Sequence, residues 1–112
     1  MKPQDKERLL KMHMFAKDVS SIAEGIYLER LVSDKVYQYS LLYPLGQIGE
    51  IAINIGNNVT QLYPDIEWPK WRGFRNRLFH DYGLIDFSIV LDMITESIPL
   101  LLNELAKIQD EL

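Results

Sequence analysis

Apolar residues recur along this chain at spacings of three and four. Leu9, Met12, Ala16, Val19, Ala23 and Ile26 make one stripe, and Leu41, Leu45, Ile48, Ala52, Ile55, Val59 and Leu62 make a second. A third runs through Val90, Leu91, Ile94, Ile98, Leu101, Leu105, Ile108 and Leu112. Such spacings keep side chains on one side of a helix, whereas a strand needs alternation by two. The pattern predicts long helices over about 4–29, 35–62 and 86–110. No segment reads as a strand, so the expected fold is all-α, an up-and-down bundle of four or five helices.

The punctuation between stripes agrees. Ser33 or Asp34 can cap the second helix and Asp86 the last. Tyr63-Pro64-Asp65 reads as a turn, and Trp68-Pro69 as a helix start with proline in the first turn. A shorter helix over about 68–81 follows, with Gly83 ending it. Pro44 and Pro99 fall inside helical pattern, where each is expected to kink or break its helix. Gly46, Gly49 and Gly56 are poor helix formers, which points to close packing against another helix.

The second helix has more apolar residues than one stripe needs. Tyr39, Leu42, Tyr43, Ile51 and Ile53 lie outside its seam, so burial on two sides is expected. A subunit interface is one way to bury the second side, and a homodimer is the simplest form of it.

Composition narrows the class. The 112 residues suit one domain spanning 1–112, and 47% apolar with 25% charged residues is a globular profile. No apolar run has the length of a membrane span, and Met1 to Lys11 lacks the apolar stretch of a secretory signal. Without cysteine there is no disulfide framework or thiolate metal site, and two histidines without His-Glu-x-x-His spacing give no basis for a catalytic zinc. A cytoplasmic setting without membrane or cofactor is the default expectation. The net charge of −4 excludes general nucleic-acid binding through bulk charge. Its distribution is uneven, however. Lys and Arg are absent from Val36 to Pro69, then Lys70, Arg72, Arg75 and Arg77 arrive together. Such a cluster reads either as a confined anion site or as a solvated helix face.

Arg72 to Tyr82 gathers the residue types used in phosphate chemistry. Arginine offers a planar, permanently charged fork that matches phosphate, and histidine can exchange a proton near neutral pH. These two suffice in principle for RNA cleavage by attack of a ribose 2′-hydroxyl on the adjacent phosphate. Arg72, Asn76 and His80 are spaced by four, so they share a helix face and Asn76 can orient His80. Arg75 and His80 differ by roughly 140° on a regular helix. Both can reach one phosphate if the helix ends near His80, or if two copies of the segment face each other across a dimer. The spacing alone fits equally a basic exposed helix with a histidine near its end.

Pro64-Asp65-Ile66-Glu67-Trp68 together with Gly73-Phe74-Arg75-Asn76-Arg77-Leu78-Phe79-His80-Asp81-Tyr82 resembles the HepT-like branch of the HEPN superfamily. Gln47-Ile48-Gly49-Glu50 is similar to the family's Ile-Gly-Glu stretch, and the last helix with Pro99 also fits. The likeness covers roughly residues 35–105; Pro44 is less usual for the family. The resemblance implies a metal-independent ribonuclease with Arg75, Asn76 and His80 as catalytic residues, paired across a homodimer. Lys70, Arg72 and Arg77 would assist in holding RNA. It further implies a toxin whose antitoxin is a minimal nucleotidyltransferase, able to transfer AMP to Tyr82. Phosphate added there would compete with RNA for the arginines. The alternatives are a non-catalytic HEPN module that binds a nucleotide or a nucleotidyltransferase, and a plain dimeric scaffold.

Several other residues have structural readings. His13, off the first stripe, is expected to be exposed or to hold a hydrogen bond at the rim. Glu50 is the lone acid in an apolar stretch, so a partner such as Arg75 or a rim position is expected. Trp68 and Trp71 suit core or interface packing better than base stacking, and Tyr37, Tyr39 and Tyr43 suit core or interface.

Overall fold

The computed structural model describes residues 1–80 and 82–112, with Tyr82 described by its backbone alone. Throughout these residues the ordered elements are helical. The first stripe forms α1, Pro3–Ile22, followed by the short α2, Leu28–Ser33. The helix expected to reach residue 29 therefore stops early. Gly25 is the reason: its φ of 73° lies in the left-handed region that glycine enters without a Cβ penalty. Ala23 and Ile26 still pack on the core from the turn, so the spacing continues where the helix does not.

Helix α3, Lys35–Asn54, begins at Asp34, whose carboxylate accepts the Tyr37 N–H at 3.0 Å. It runs through Pro44 as one helix, so the expected break there does not occur. Pro44 is buried, and α3 is held between α1 on one side and α5 on the other. Packing of this kind supplies most of a helix's stability in a protein and outweighs one missing hydrogen bond.

The break comes instead at Ile55 and Gly56, both extended, after which α4 runs Asn57–Leu62. Ile55 and Val59 are both buried, which is why the second stripe crosses the break unaltered. Asp5 of α1 holds this corner. Its buried carboxylate accepts the Gly56 N–H at 3.3 Å and pairs with Arg8 at 3.0 Å.

Helix α5 spans Trp68–His80, and Tyr82–Leu84 make a 3₁₀ turn. Asp86 caps α6, Phe87–Asp92, by accepting the Ser88 N–H at 2.9 Å. A π-helical turn, Met93–Ser97, leads into α7, Ile98–Gln109, with Pro99 in its first turn. The widened turn takes up the ring that a regular α-helix could not accommodate. Pro99 thus distorts its helix without ending it.

Helix α3 is the centre of the bundle, with α1 and α5 on its sides and α7 on α1. Leu42 and Ile51, outside the main seam of α3, are buried by these neighbours within the same chain. Tyr39 and Tyr43 remain exposed, while Tyr37 is buried. Trp68 and Trp71 both belong to the core, and the Trp68 indole donates to the Tyr63 carbonyl at 2.9 Å.

His13 departs from expectation. It is buried, at 8% exposure, because α1 packs on both α3 and α7 and its covered face is wider than one stripe. Burial, and secondarily the Lys17 ammonium, lower its pKa, against an opposing hydrogen bond with Gln109. The neutral ring is the form the fold prefers. The unfolded chain therefore takes up the proton first, at its ordinary value of about 6.5. His13 contributes stability that is fully present above that value and is lost as pH falls toward the lower folded value. The urea midpoint should drop as pH is taken below about 6.5, and His13→Asn should flatten part of that drop. An identical pH response in the variant would contradict this assignment.

Candidate functional site

Helix α5 is fixed by Trp68, Trp71, Phe74 and Leu78, whose spacing by three and four puts them on its buried face. The remaining positions divide around the other faces. Arg72 and Arg75 flank α3, whereas Lys70 and Arg77 line shallow clefts toward α6 with Phe74 and Ile89. The four cations that stand together in sequence are therefore divided between two faces.

On the α3 side the two helices run antiparallel and in close register. Ala52 meets Arg72, Gly49 meets Arg75 and Gly46 meets Leu78. A Cβ on Gly49 would collide with the Arg75 Cβ and lie 2.7 Å from the Trp71 carbonyl oxygen. Neither obstacle can swing aside, because one is backbone and the other is attached to it. Gly49→Ala should cost about 1–3 kcal/mol, even though alanine is the better helix former. Denaturant unfolding checks this, and a stabilised variant would contradict the close register.

The close approach lets Glu50 reach Arg75. The Arg75 Nε donates to Glu50 Oε2 at 2.6 Å, and its NH1 donates to Asn76 Oδ1 at 3.2 Å. Behind Glu50, the Asn54 amide donates to Oε1 at 3.1 Å. The guanidinium lies over the Phe79 ring, 4.3 Å from its centroid. Arg75 is thus held by a carboxylate, an amide and an aromatic face. An ion pair this exposed contributes little to stability, so its effect is to orient the fork. Arg72 differs, since its Nε is engaged by the Ala52 carbonyl at 2.7 Å, near the end of α3.

His80 is exposed at the end of α5, as is Asn76 one turn earlier. Among the described residues, Asn76 turns its carbonyl to Arg75 and not to His80. Asp81 and the side chain of Tyr82 lie outside the described residues, so the Tyr82 expectation has no structural counterpart. The reading of Glu50 as an arginine partner matches the structure. Phe79 as a support for Arg75 is absent from the expectations, although the spacing of four between them is a signal for it.

Among the described residues, no group of three His, Cys, Asp or Glu side chains is arranged to hold a metal ion. No described helix is long and apolar enough to cross a membrane.

A helical bundle presenting an arginine, the asparagine after it and a histidine from one helix is the class of fold and segment known as a HEPN domain. The chain belongs to the family described as ribonuclease HepT-like, whose model matches residues 12–108. It is 28% identical over 89 residues to "Putative RNase MJ1380" of Methanocaldococcus jannaschii, covering 80% of this chain and 82% of that protein. It is 29% identical over 91 residues to "Probable ribonuclease HepT" of Thermococcus cleftensis, covering 81% and 83% respectively. No solved structure matches the chain significantly.

Proposed function

We propose that the protein is a metal-independent endoribonuclease that acts as a homodimer, the cytoplasmic toxin of a toxin–antitoxin pair. The observation that carries this reading is the orientation of Arg75. Glu50 holds its Nε and Asn76 its NH1, and among the described residues NH2 has no partner, which leaves it for a phosphate. The family, and the ribonuclease names of its relatives, point the same way.

Phosphate oxygens bind the Arg75 guanidinium, which stabilises the charge that builds up on phosphorus. The 2′-hydroxyl attacks, the bond from phosphorus to O2′ forms and the bond to O5′ breaks. His80 accepts the proton of the 2′-hydroxyl, and the His80 of a second copy gives one to O5′. The products are a 2′,3′-cyclic phosphate and a 5′-hydroxyl. Two copies of α5 supply both proton-transfer groups and make a cleft from a convex helix end, with Arg72 adding positive charge on the Arg75 side and Lys70 and Arg77 on the side toward α6. A minimal nucleotidyltransferase is the antitoxin, and AMP on Tyr82 would put a phosphate in competition with RNA.

Purified protein should cut single-stranded RNA in chelator, and Arg75→Ala should not. Cleavage that survives the substitution would overturn the reading, and cleavage only on adding metal would do the same. Glu50→Ala should slow cleavage roughly ten- to a hundredfold by loosening Arg75, with little loss of stability. An unchanged rate would show that Glu50 has no positioning role. Mass analysis after co-expression with the nucleotidyltransferase should show an AMP addition that Tyr82→Phe abolishes. An addition that persists would place the modification elsewhere.

A further inference from the structure

One helical turn from Arg75 along the α3–α5 seam is a cleft of about 270 Å³ walled by Tyr39, Tyr43 and Phe79, with Leu42, Gly46 and Gln47 completing it. We infer that this cleft is a base-binding subsite, which receives one unpaired nucleobase of the RNA whose phosphate Arg75 holds. The inference rests on the ribonuclease reading and adds a second point of contact to it, a place for the base beside the phosphate that Arg75 holds.

Four observations carry it. Tyr39, Tyr43 and Phe79 are 52%, 65% and 60% exposed as whole residues, so three aromatic side chains stand at the surface in one place. The space is smaller than a typical pocket for a drug-sized ligand, and suits a single flat ring system. Its one side-chain amide, Gln47, can both donate to and accept from the polar edge of a base, while aromatic rings stack on its faces. Finally, Phe79 belongs to both features, since it walls the cleft and lies under the Arg75 guanidinium. A base in the cleft and a phosphate on Arg75 are then about one helical turn apart, ~5.4 Å, a separation that one nucleotide can bridge. A base paired in a duplex cannot enter, because its edge and both faces are already occupied.

The test uses a single-stranded 2′-deoxy hexanucleotide, which keeps bases and phosphates but lacks the attacking hydroxyl. Aromatic NMR signals of Tyr39, Tyr43 and Phe79 should shift on its addition to the wild-type protein. Tyr39→Ala should weaken binding roughly tenfold, within the range of losing one stacking partner. Gln47→Ala should reduce the difference in affinity among hexanucleotides of different base. Phe79 is left intact because it also supports Arg75, and Leu100→Ala, an exposed change on α7, should leave binding unaltered. Unshifted aromatic signals would overturn the proposal. So would Tyr39→Ala converting a dimer to a monomer with unchanged affinity per chain, which would make the cleft a seam between copies. Should the hexanucleotide bind as described while RNA is never cut, the subsite stands and the ribonuclease reading fails. If RNA is cut and both variants behave as wild type, the reverse holds.

Discussion

His80→Ala should lose a factor of about 10²–10⁴ in RNA cleavage, the range for a positioned acid–base group. His80 is exposed at the end of α5, and among the described residues no ion pair is formed by it, so its removal should leave unfolding unchanged. That separation makes the variant informative. A structural residue would lower stability and activity together, whereas His80 should lower activity alone. On the proposed mechanism one His80 acts as base and a second as acid, so the pH dependence of the wild-type rate should change as well. Its bell-shaped profile should disappear in the residual activity of the variant. A full rate in His80→Ala would remove histidine from the mechanism.

Trp71→Ala should have the opposite signature, costing about 3–5 kcal/mol of stability. Trp71 is fully buried, stands edge-on to Phe74 at 6.5 Å, and its backbone carbonyl lies against Gly49. Its loss would open a cavity where α5 meets α3, and so let the Arg75 and Glu50 pair drift apart. Part of the cost has an offset, because the Trp71 indole N–H is buried without a partner among the described residues. Trp71→Phe deletes that orphan donor and keeps most of the ring, so it should be much milder than Trp71→Ala. Urea unfolding of the two variants checks the ranking. Equal losses would mean that ring volume is not what holds α5 in place.

Much of the fold is legible in the residues themselves. The α5 stripe of Trp68, Trp71, Phe74 and Leu78 dictates which face is buried, and Asp34 and Asp86 mark helix starts. The breaks at Gly25 and Gly56 are not legible from periodicity, because Ile26 and Val59 keep the stripe in phase across them. A stripe records which residues face the core, not whether the backbone between them is helical. Gly25 reports its break only through a positive φ, and Gly56 through a carboxylate, Asp5, from the far end of the chain. The burial of His13 escapes the pattern for a related reason, since one stripe cannot show that α1 has two covering helices. Pro44 shows the converse, a local rule overridden by burial on both sides of α3.

The site is legible in residue type and less so in geometry. Arg75, Asn76 and His80 stand out by chemistry, and Gly49-Glu50 by its place in the second helix. That Lys70 and Arg77 turn away from Arg75 follows from the helix once Trp71 and Phe74 fix its rotation. Linear clustering of charge alone does not separate them. The Asn76 carbonyl turning to Arg75 depends on a side-chain rotamer, which spacing does not specify.

The chemistry of the RNA ends tests the account most directly. A defined single-stranded RNA, cut by wild-type protein in excess chelator, should carry 2′,3′-cyclic phosphate on one fragment and 5′-hydroxyl on the other. Those ends require the substrate's own 2′-hydroxyl as nucleophile, the attack that Arg75 and His80 are proposed to assist. Fragments ending in 3′-hydroxyl and 5′-phosphate would show that water attacked instead, and would contradict the mechanism assigned to this site.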